Sequence, residues 1–166
     1  DSGDGDASLS ADLGRFFVTT DDQDATSGDS LYVFDNLGGA VTFTEIGETG
    51  LTQLIGLAVH PITREIFAYD SSSESLYILD ENNATPTLVG ASGESFSAIG
   101  GMDFNADGSL LLLAAAGELY GVDPGTGLTS AMGDVVLNTS ALSYRIPEPS
   151  SLALLGLAGL LAWRRR

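Results

Sequence analysis

The chain has 166 residues, with 23 acidic side chains, six arginines, no lysine and a net charge of −17. Before Pro147 there are 22 acidic groups against Arg15, Arg64 and Arg145, a surface that repels phosphate backbones and anionic lipid, so nucleic-acid binding is excluded. Hydrophobic residues make up 43% and charged ones 17%, enough apolar surface to support a folded core, and the absence of cysteine removes disulfides, thiolate metal sites and a cysteine nucleophile.

The chain opens at Asp1 with neither an initiator Met nor a signal peptide. An exported protein needs such a leader, so the expectation is that it has been removed or that the chain is the C-terminal part of a longer precursor. Asp1, Asp4, Asp6 and Asp12 have the look of a partial calcium loop, but Leu9 and Arg15 stand where an EF-hand needs glycine and glutamate. Leu9 to Phe17 reads as a strand, a turn and a second strand. An acidic loop from Asp21 to Asp29 follows. Its Asp21, Asp22, Asp24 and Asp29 could gather oxygen ligands around Ca²⁺, the one cofactor this composition suggests. A solvated acidic loop is the commoner arrangement.

Leu31-Tyr32-Val33-Phe34-Asp35 then begins a series. It returns as Leu76-Tyr77-Ile78-Leu79-Asp80 and Leu119-Tyr120-Gly121-Val122-Asp123, at spacings of 45 and 43 residues. The earlier Leu9–Phe17 segment returns as Val59–Phe67 and Phe104–Leu111, and each unit closes on an apolar–glycine pair, Ile46-Gly47, Val89-Gly90 or Met132-Gly133. In the middle unit the apolar runs predict strands near Gly56–His60, Glu65–Tyr69, Ser75–Asp80 and Thr85–Val89, separated by turn residues such as His60-Pro61 and Asn82-Asn83. Before residue 147 no stretch keeps a helical period.

Four strands in 40 to 45 residues is the size of a β-propeller blade. The fold expected is all-β: about three four-stranded antiparallel blades at 7–50, 51–95 and 96–140, a partial β-propeller over residues 1–145. In wording the units resemble the propellers of the broad YVTN/NHL-like group. That resemblance implies architecture and no particular activity. Closed propellers have typically four to eight blades, so three imply further blades upstream, with a fourth inner strand beginning at Ala141–Tyr144. A sandwich-like stack of antiparallel sheets is the competing architecture.

Residues 146–166 differ from all this. Ser150 to Trp163 is uncharged and rich in leucine and alanine, Pro149 suits a helix start, and Arg164, Arg165 and Arg166 close the chain. A helix from Pro149 to Trp163 rises roughly 21 Å, short of the roughly 30 Å hydrocarbon core. Trp163 at the interface and snorkelling arginines would cover part of the gap, with the C-terminus held in the cytoplasm by the positive-inside rule. Ile146-Pro147-Glu148-Pro149-Ser150-Ser151 onwards resembles a PEP-CTERM sorting signal, with its Pro147-Glu148-Pro149 motif, transmembrane-type helix and arginine cluster in order. The resemblance implies an exosortase as partner in a Gram-negative bacterium that makes exopolysaccharide or biofilm. It also implies transient anchoring in the inner membrane, then removal of the tail and release or attachment at the cell surface.

Other chemistry is sparse. His60 is the only histidine, and it sits in a strand-ending turn whose counterparts are Ser10 and Asn105. A turn residue is expected there rather than a metal ligand or a catalytic base. Asp35, Asp80 and Asp123 recur once per unit, which indicates a shared turn more than a site, and Asp103 and Asp107 of the third unit meet the same objection because Asp107-Gly108 is a turn signal. Tyr32, Tyr77 and Tyr120 recur as well and are expected to pack between blades. No catalytic residue is assigned. Three readings of function follow: a non-catalytic surface module that binds or structures extracellular material, exopolysaccharide among it; a metal-dependent propeller enzyme of the lactonase or lyase kind; and an architectural surface or filament subunit.

Overall fold

The computed structural model describes residues 7–10, 15–20, 28–35, 39–96, 99 and 101–134. The segment expected to be helical, 150–163, lies outside them, as do Ala141–Tyr144. Within the described residues the chain is all-β. Three sheets follow one another, each a four-stranded antiparallel meander. The first holds β1 (Ala7–Ser10), β2 (Arg15–Thr20), β3 (Ser30–Asp35) and β4 (Thr42–Glu48). The second holds β5 (Leu54–Val59), β6 (Ile66–Asp70), β7 (Ser75–Leu79) and β8 (Pro86–Ala91). The third holds β9 (Gly101–Phe104), β10 (Leu111–Ala115), β11 (Glu118–Val122) and β12 (Thr129–Asp134).

The sheets meet along their first strands, β5 lying against β1 on one side and β9 on the other. Every residue of β5 and β6 is buried. Period-two alternation therefore serves two apolar faces here instead of one apolar and one wet face. Ile66 and Ala68 of β6 face the first sheet, where Phe17, Leu31 and Val33 meet them. Phe67 and Tyr69 face the third, against Met102, Phe104 and Leu113. At about 1.5–3 kcal/mol for each large apolar side chain buried, these two seams outweigh the ion pairs across them. Arg15 is the example. Its guanidinium lies 2.7 Å from Asp35 and 3.5 Å from Glu81 of the next sheet, with all three side chains between 29% and 48% exposed, and exposed pairs contribute only about 0–1 kcal/mol.

Beyond the apolar seams the sheets are joined by directed hydrogen bonds. The buried Asp29 carboxylate accepts from the Leu54 N–H at 2.5 Å, fixing the start of β5 to the first sheet. Thr129 donates through both its N–H and its hydroxyl to the Ser92 carbonyl, at 2.9 Å each, tying the third sheet to the second.

The apolar–glycine pairs prove to be a repeated bulge. Leu31 pairs with Gly47 but Tyr32 with Glu45, Leu76 with Gly90 but Tyr77 with Leu88, Leu119 with Gly133 but Tyr120 with Ala131. Ile46, Val89 and Met132 are thus each left over by the ladder, one per sheet. The glycine beside the bulge is a notch for the turn of the following sheet. A Cβ on Gly90 would lie 2.0 Å from the Thr126 carbonyl oxygen, and one on Gly127 would lie 2.6 Å from that of Gly90. At Gly47 the Asn83 carbonyl oxygen and the Ala84 Cβ take the corresponding place, at 3.0 and 3.7 Å.

Gly90→Ala should therefore lower stability by about 2–3 kcal/mol through overpacking against rigid backbone. Gly50→Ala should cost only roughly 1 kcal/mol, from its φ of +71° with open space around it. Urea denaturation of the two variants checks the contrast; equal losses would contradict the notch.

Candidate functional site

The expected sorting residues Pro147, Glu148 and Pro149, with Trp163 and Arg164–Arg166, lie outside the described residues, as do Asp21, Asp22 and Asp24. Asp29 is described. It sits at the entrance to β3, 2% exposed, its carboxylate engaged by Leu54 N–H and its carbonyl by the N–H and hydroxyl of Thr49. Among the described residues no group of three His, Asp or Glu is placed to hold a metal ion.

The recurring carboxylates divide by role. Asp80 accepts from Asn82 N–H at 2.8 Å, and Asp123 from Gly125 and Thr126 N–H at 2.8 and 3.2 Å. Both organise the turn that follows, as short acidic side chains do where β-strands reverse. Asp35 has the same place in sequence and accepts from the Arg15 guanidinium at 2.7 Å. Asp107 accepts from the N–H and hydroxyl of Ser109, which hold its carboxyl below the usual value. Asp103 Oδ1 accepts from the Phe104 N–H at 2.8 Å.

His60 does more than close its turn. Its Nδ1 accepts from Ile62 and Thr63 N–H at 3.1 and 3.0 Å, which leaves the hydrogen on Nε2 to be donated to the Gly108 carbonyl of the third sheet at 3.1 Å. The ring also meets Phe104 edge-on, 4.8 Å between centroids. Nδ1 thus closes the turn of the second sheet, and Nε2 joins that sheet to the third. At the counterpart turn, Asn105 accepts from Leu110 N–H at 3.0 Å and stays within its own sheet.

The recurring tyrosines correct the expectation for two of the three. Tyr32 stacks on Phe43 of its own sheet, centroids 4.8 Å apart, and Tyr77 donates to Ser73 of its own hairpin. Only Tyr120 packs toward a neighbouring sheet, against Phe96, with its hydroxyl donating to Glu118. In the first two sheets the leucine just before the tyrosine is what the seam buries, Leu31 and Leu76 both being fully inaccessible. On a pleated strand neighbours face opposite ways, so a pair that recurs together cannot lie wholly between the same two sheets. A buried tyrosine outside the recurring set, Tyr69, fills that role. Its hydroxyl meets Ser92 at 3.2 Å and donates to the Glu94 carbonyl at 3.3 Å. Burial raises its pKa above the ordinary 10.0, with Glu74 and Asp70 adding to the rise against the hydrogen bond from Ser92.

Exposed apolar groups gather on the first sheet's far face. Phe43, 56% exposed, lies against both Tyr32 and Phe34, with Val41 54% exposed beside it. Single-residue patterns did not single these out, because β4 alternates weakly and its residues are mostly exposed.

Residues 145–166 match the family described as the PEP-CTERM protein-sorting motif. No curated protein matches the chain in sequence. Solved structures similar to it include a protein of unknown function from Bacteroides thetaiotaomicron, at TM-score 0.62 and 14% identity over 79% of this chain and 34% of that one. The nidogen/laminin complex is similar at TM-score 0.61 and 12% identity, over 80% and 49% of the two chains. An auxiliary nutrient binding protein from Bacteroides ovatus is similar at TM-score 0.59 and 17% identity, over 82% and 32%. The chain spans about a third to a half of the length of these structures. The structural neighbours are propeller-type proteins, and the three sheets are propeller-type blades.

Two outcomes follow for the seam between the second and third sheets. His60→Ala should lose about 1–2 kcal/mol of stability by urea denaturation, leaving the Gly108 carbonyl unpaired; a stability loss that disappears after metal removal would indicate a ligand instead. Tyr69 holds its proton more tightly folded than unfolded, so its contribution is complete below pH 10, the unfolded value, and falls away as pH rises through the higher folded value. Tyr69→Phe should accordingly melt lower at pH 7, by about 1 kcal/mol, with the gap to the parent narrowing above pH 10.

Proposed function

We propose that this protein is a surface-directed, non-catalytic propeller module that binds or structures neutral extracellular polysaccharide after an exosortase has processed its C-terminal tail. The match of residues 145–166 to the PEP-CTERM protein-sorting motif carries this reading. Sorting through such a tail places the apolar segment 150–163 briefly in the inner membrane, with Arg164–Arg166 on the cytoplasmic side. The exosortase then cuts near Pro147-Glu148-Pro149. Glu148 precedes Pro149, a context that disfavours helical backbone, and its carboxylate is the group we assign to recognition by the processing enzyme.

The choice of a neutral polymer comes from charge. With 22 acidic groups and three arginines before Pro147, the ectodomain repels anionic polysaccharide at close range and steers poorly toward it. Side-chain hydroxyls, amides and exposed rings are what it can offer to uncharged sugars. A binder is also among the proteins of similar fold, the auxiliary nutrient binding protein named above.

In a bacterium that has an exosortase, the protein recovered from the cell surface should lack Arg164–Arg166 by mass spectrometry. The variant with Pro147, Glu148 and Pro149 all changed to alanine should stay at full mass in the inner membrane. Processed protein should be retarded in native gels that contain neutral exopolysaccharide and run freely in gels that contain an anionic one. Surface material that still carries the arginines would overturn the sorting step, and equal mobility in all gels would overturn the binding role.

A further inference from the structure

The turn from β7 to β8 and the turn from β11 to β12 are built on the same backbone bonds. Asp80 N–H donates to the Thr85 carbonyl at 3.0 Å, and Ala84 N–H to the Asp80 carbonyl at 2.9 Å. In the third sheet Asp123 N–H donates to the Leu128 carbonyl at 3.0 Å, and Gly127 N–H to the Asp123 carbonyl at 2.8 Å. Asn83 thus matches Thr126, Ala84 matches Gly127 and Thr85 matches Leu128. Ala84 and Gly127 both have left-handed backbone, φ +60° and +79°, and both lie against the bulge glycine of the preceding sheet.

The two turns differ in what their side chains offer. Asn83 Oδ1 accepts from the Thr85 N–H at 2.9 Å, and in the third sheet the Thr126 hydroxyl accepts from the Leu128 N–H at 3.5 Å. The fold therefore asks only for an acceptor oxygen at the first position and for nothing polar at the third. It leaves the Asn83 amide nitrogen and the Thr85 hydroxyl without a structural duty, and neither has a hydrogen-bond partner among the described residues. Both residues are exposed, while Ala84 between them is fully buried. The turn is pinned by its middle residue and presents the side chains on either side of it to solvent.

Those two spare groups stand at a spacing that has a chemical use. Asparagine, a residue other than proline, then threonine is the acceptor triplet for asparagine-linked glycosylation, a modification of surface loops in exported proteins. Glu81, two residues before the asparagine and also exposed, supplies the acid that bacterial enzymes of this class read with the triplet. We propose that Asn83 is glycosylated on the exported side of the membrane, by transfer of an oligosaccharide from a polyprenyl diphosphate carrier. The Asn83 amide nitrogen forms a bond to the sugar C1 as the C1–O bond to the carrier breaks. The amide proton passes to a base of the transferase, and polyprenyl diphosphate leaves. The Thr85 hydroxyl is the group through which the enzyme holds the asparagine in place. Since β7 and β8 are the third and fourth strands of a sheet that meets its neighbours along its first, the glycan projects from the rim and adds neutral, hydrated surface to a chain of net charge −17.

Full-length protein is expressed in a bacterium that has an exosortase and an oligosaccharyltransferase active on a second exported acceptor. Cleavage at acidic residues separates Asn83 from Asn138, which begins the triplet Asn138-Thr139-Ser140, and the peptides are weighed by mass spectrometry. The Asn83 peptide should carry the added mass of the oligosaccharide. Asn83→Asp keeps the turn's acceptor oxygen but has no amide nitrogen, and Thr85→Val removes only the hydroxyl. Both should lose the added mass while melting like parent protein from a host without the transferase, and Thr85→Ser should keep it. An unmodified Asn83 beside a modified second acceptor would overturn the proposal, as would a glycan that persists in Thr85→Val. The proposal depends on export and not on removal of the tail. The variant with Pro147, Glu148 and Pro149 changed to alanine should carry the same glycan, so failure of the sorting step and failure of this one are told apart.

Discussion

Each sheet of this protein is too thin to protect itself, and that constraint governs the rest. A four-stranded meander has two faces, and β5 and β6 are apolar on both, so the second sheet can exist only between two others. Stacking along the first strands meets that need, and the closeness of the stack decides which residues are allowed. Where backbone meets backbone at Gly90 no side chain fits, and at Gly47 a Cβ would crowd the Asn83 carbonyl. Where rings meet, Phe67 and Phe104 cross edge to face with centroids 5.1 Å apart, an arrangement that fills space without forcing rotamers. Hydrogen bonds accepted by Asp29 and donated by His60 and Thr129 then select one relative placement among the many that apolar contact alone would accept.

The architecture was legible because repetition carries its own check. Three Leu-Tyr and three apolar–glycine pairs at matching intervals leave little freedom in where the strands go, and the middle unit's strands fall within a residue or two of where turn chemistry put them. What the pattern could not show was which member of a recurring pair faces the seam. Leucine and tyrosine recur equally well, yet Leu31 and Leu76 take the dry side, and Tyr32 and Tyr77 lie against their own hairpins. Recurrence marks a shared environment but not its direction. The same limit applies to Asp35, which accepts from the Arg15 guanidinium, a partner its place in the repeat does not predict. Phe43 and Val41 lack any period that would mark them, since their position matters only in relation to another sheet.

The two halves of the chain put sequence information to different uses. In the sorting tail the order of a few residue types is the signal, and Pro147-Glu148-Pro149 can be read without any fold. In the blades the same residue types have meaning only through their partners: Asp107 organises a turn, Asp29 anchors a strand, and His60 links two sheets through a ring tautomer set by its own turn. Functional chemistry is therefore easy to locate at the C-terminus and hard to locate among the sheets, where most polar groups are already committed to holding the structure.

All strand pairs join sequence neighbours, β1 with β2 through to β11 with β12, within each sheet. Loop closure is consequently short at every step, and such local topology folds fast for an all-β chain. A polypeptide that emerges from its N-terminus presents the sheets one at a time, and the strands of each can pair locally before the next sheet arrives to cover them. The second sheet gains its second apolar partner when the third sheet follows. The meander thus suits a protein whose folding has to keep pace with its delivery.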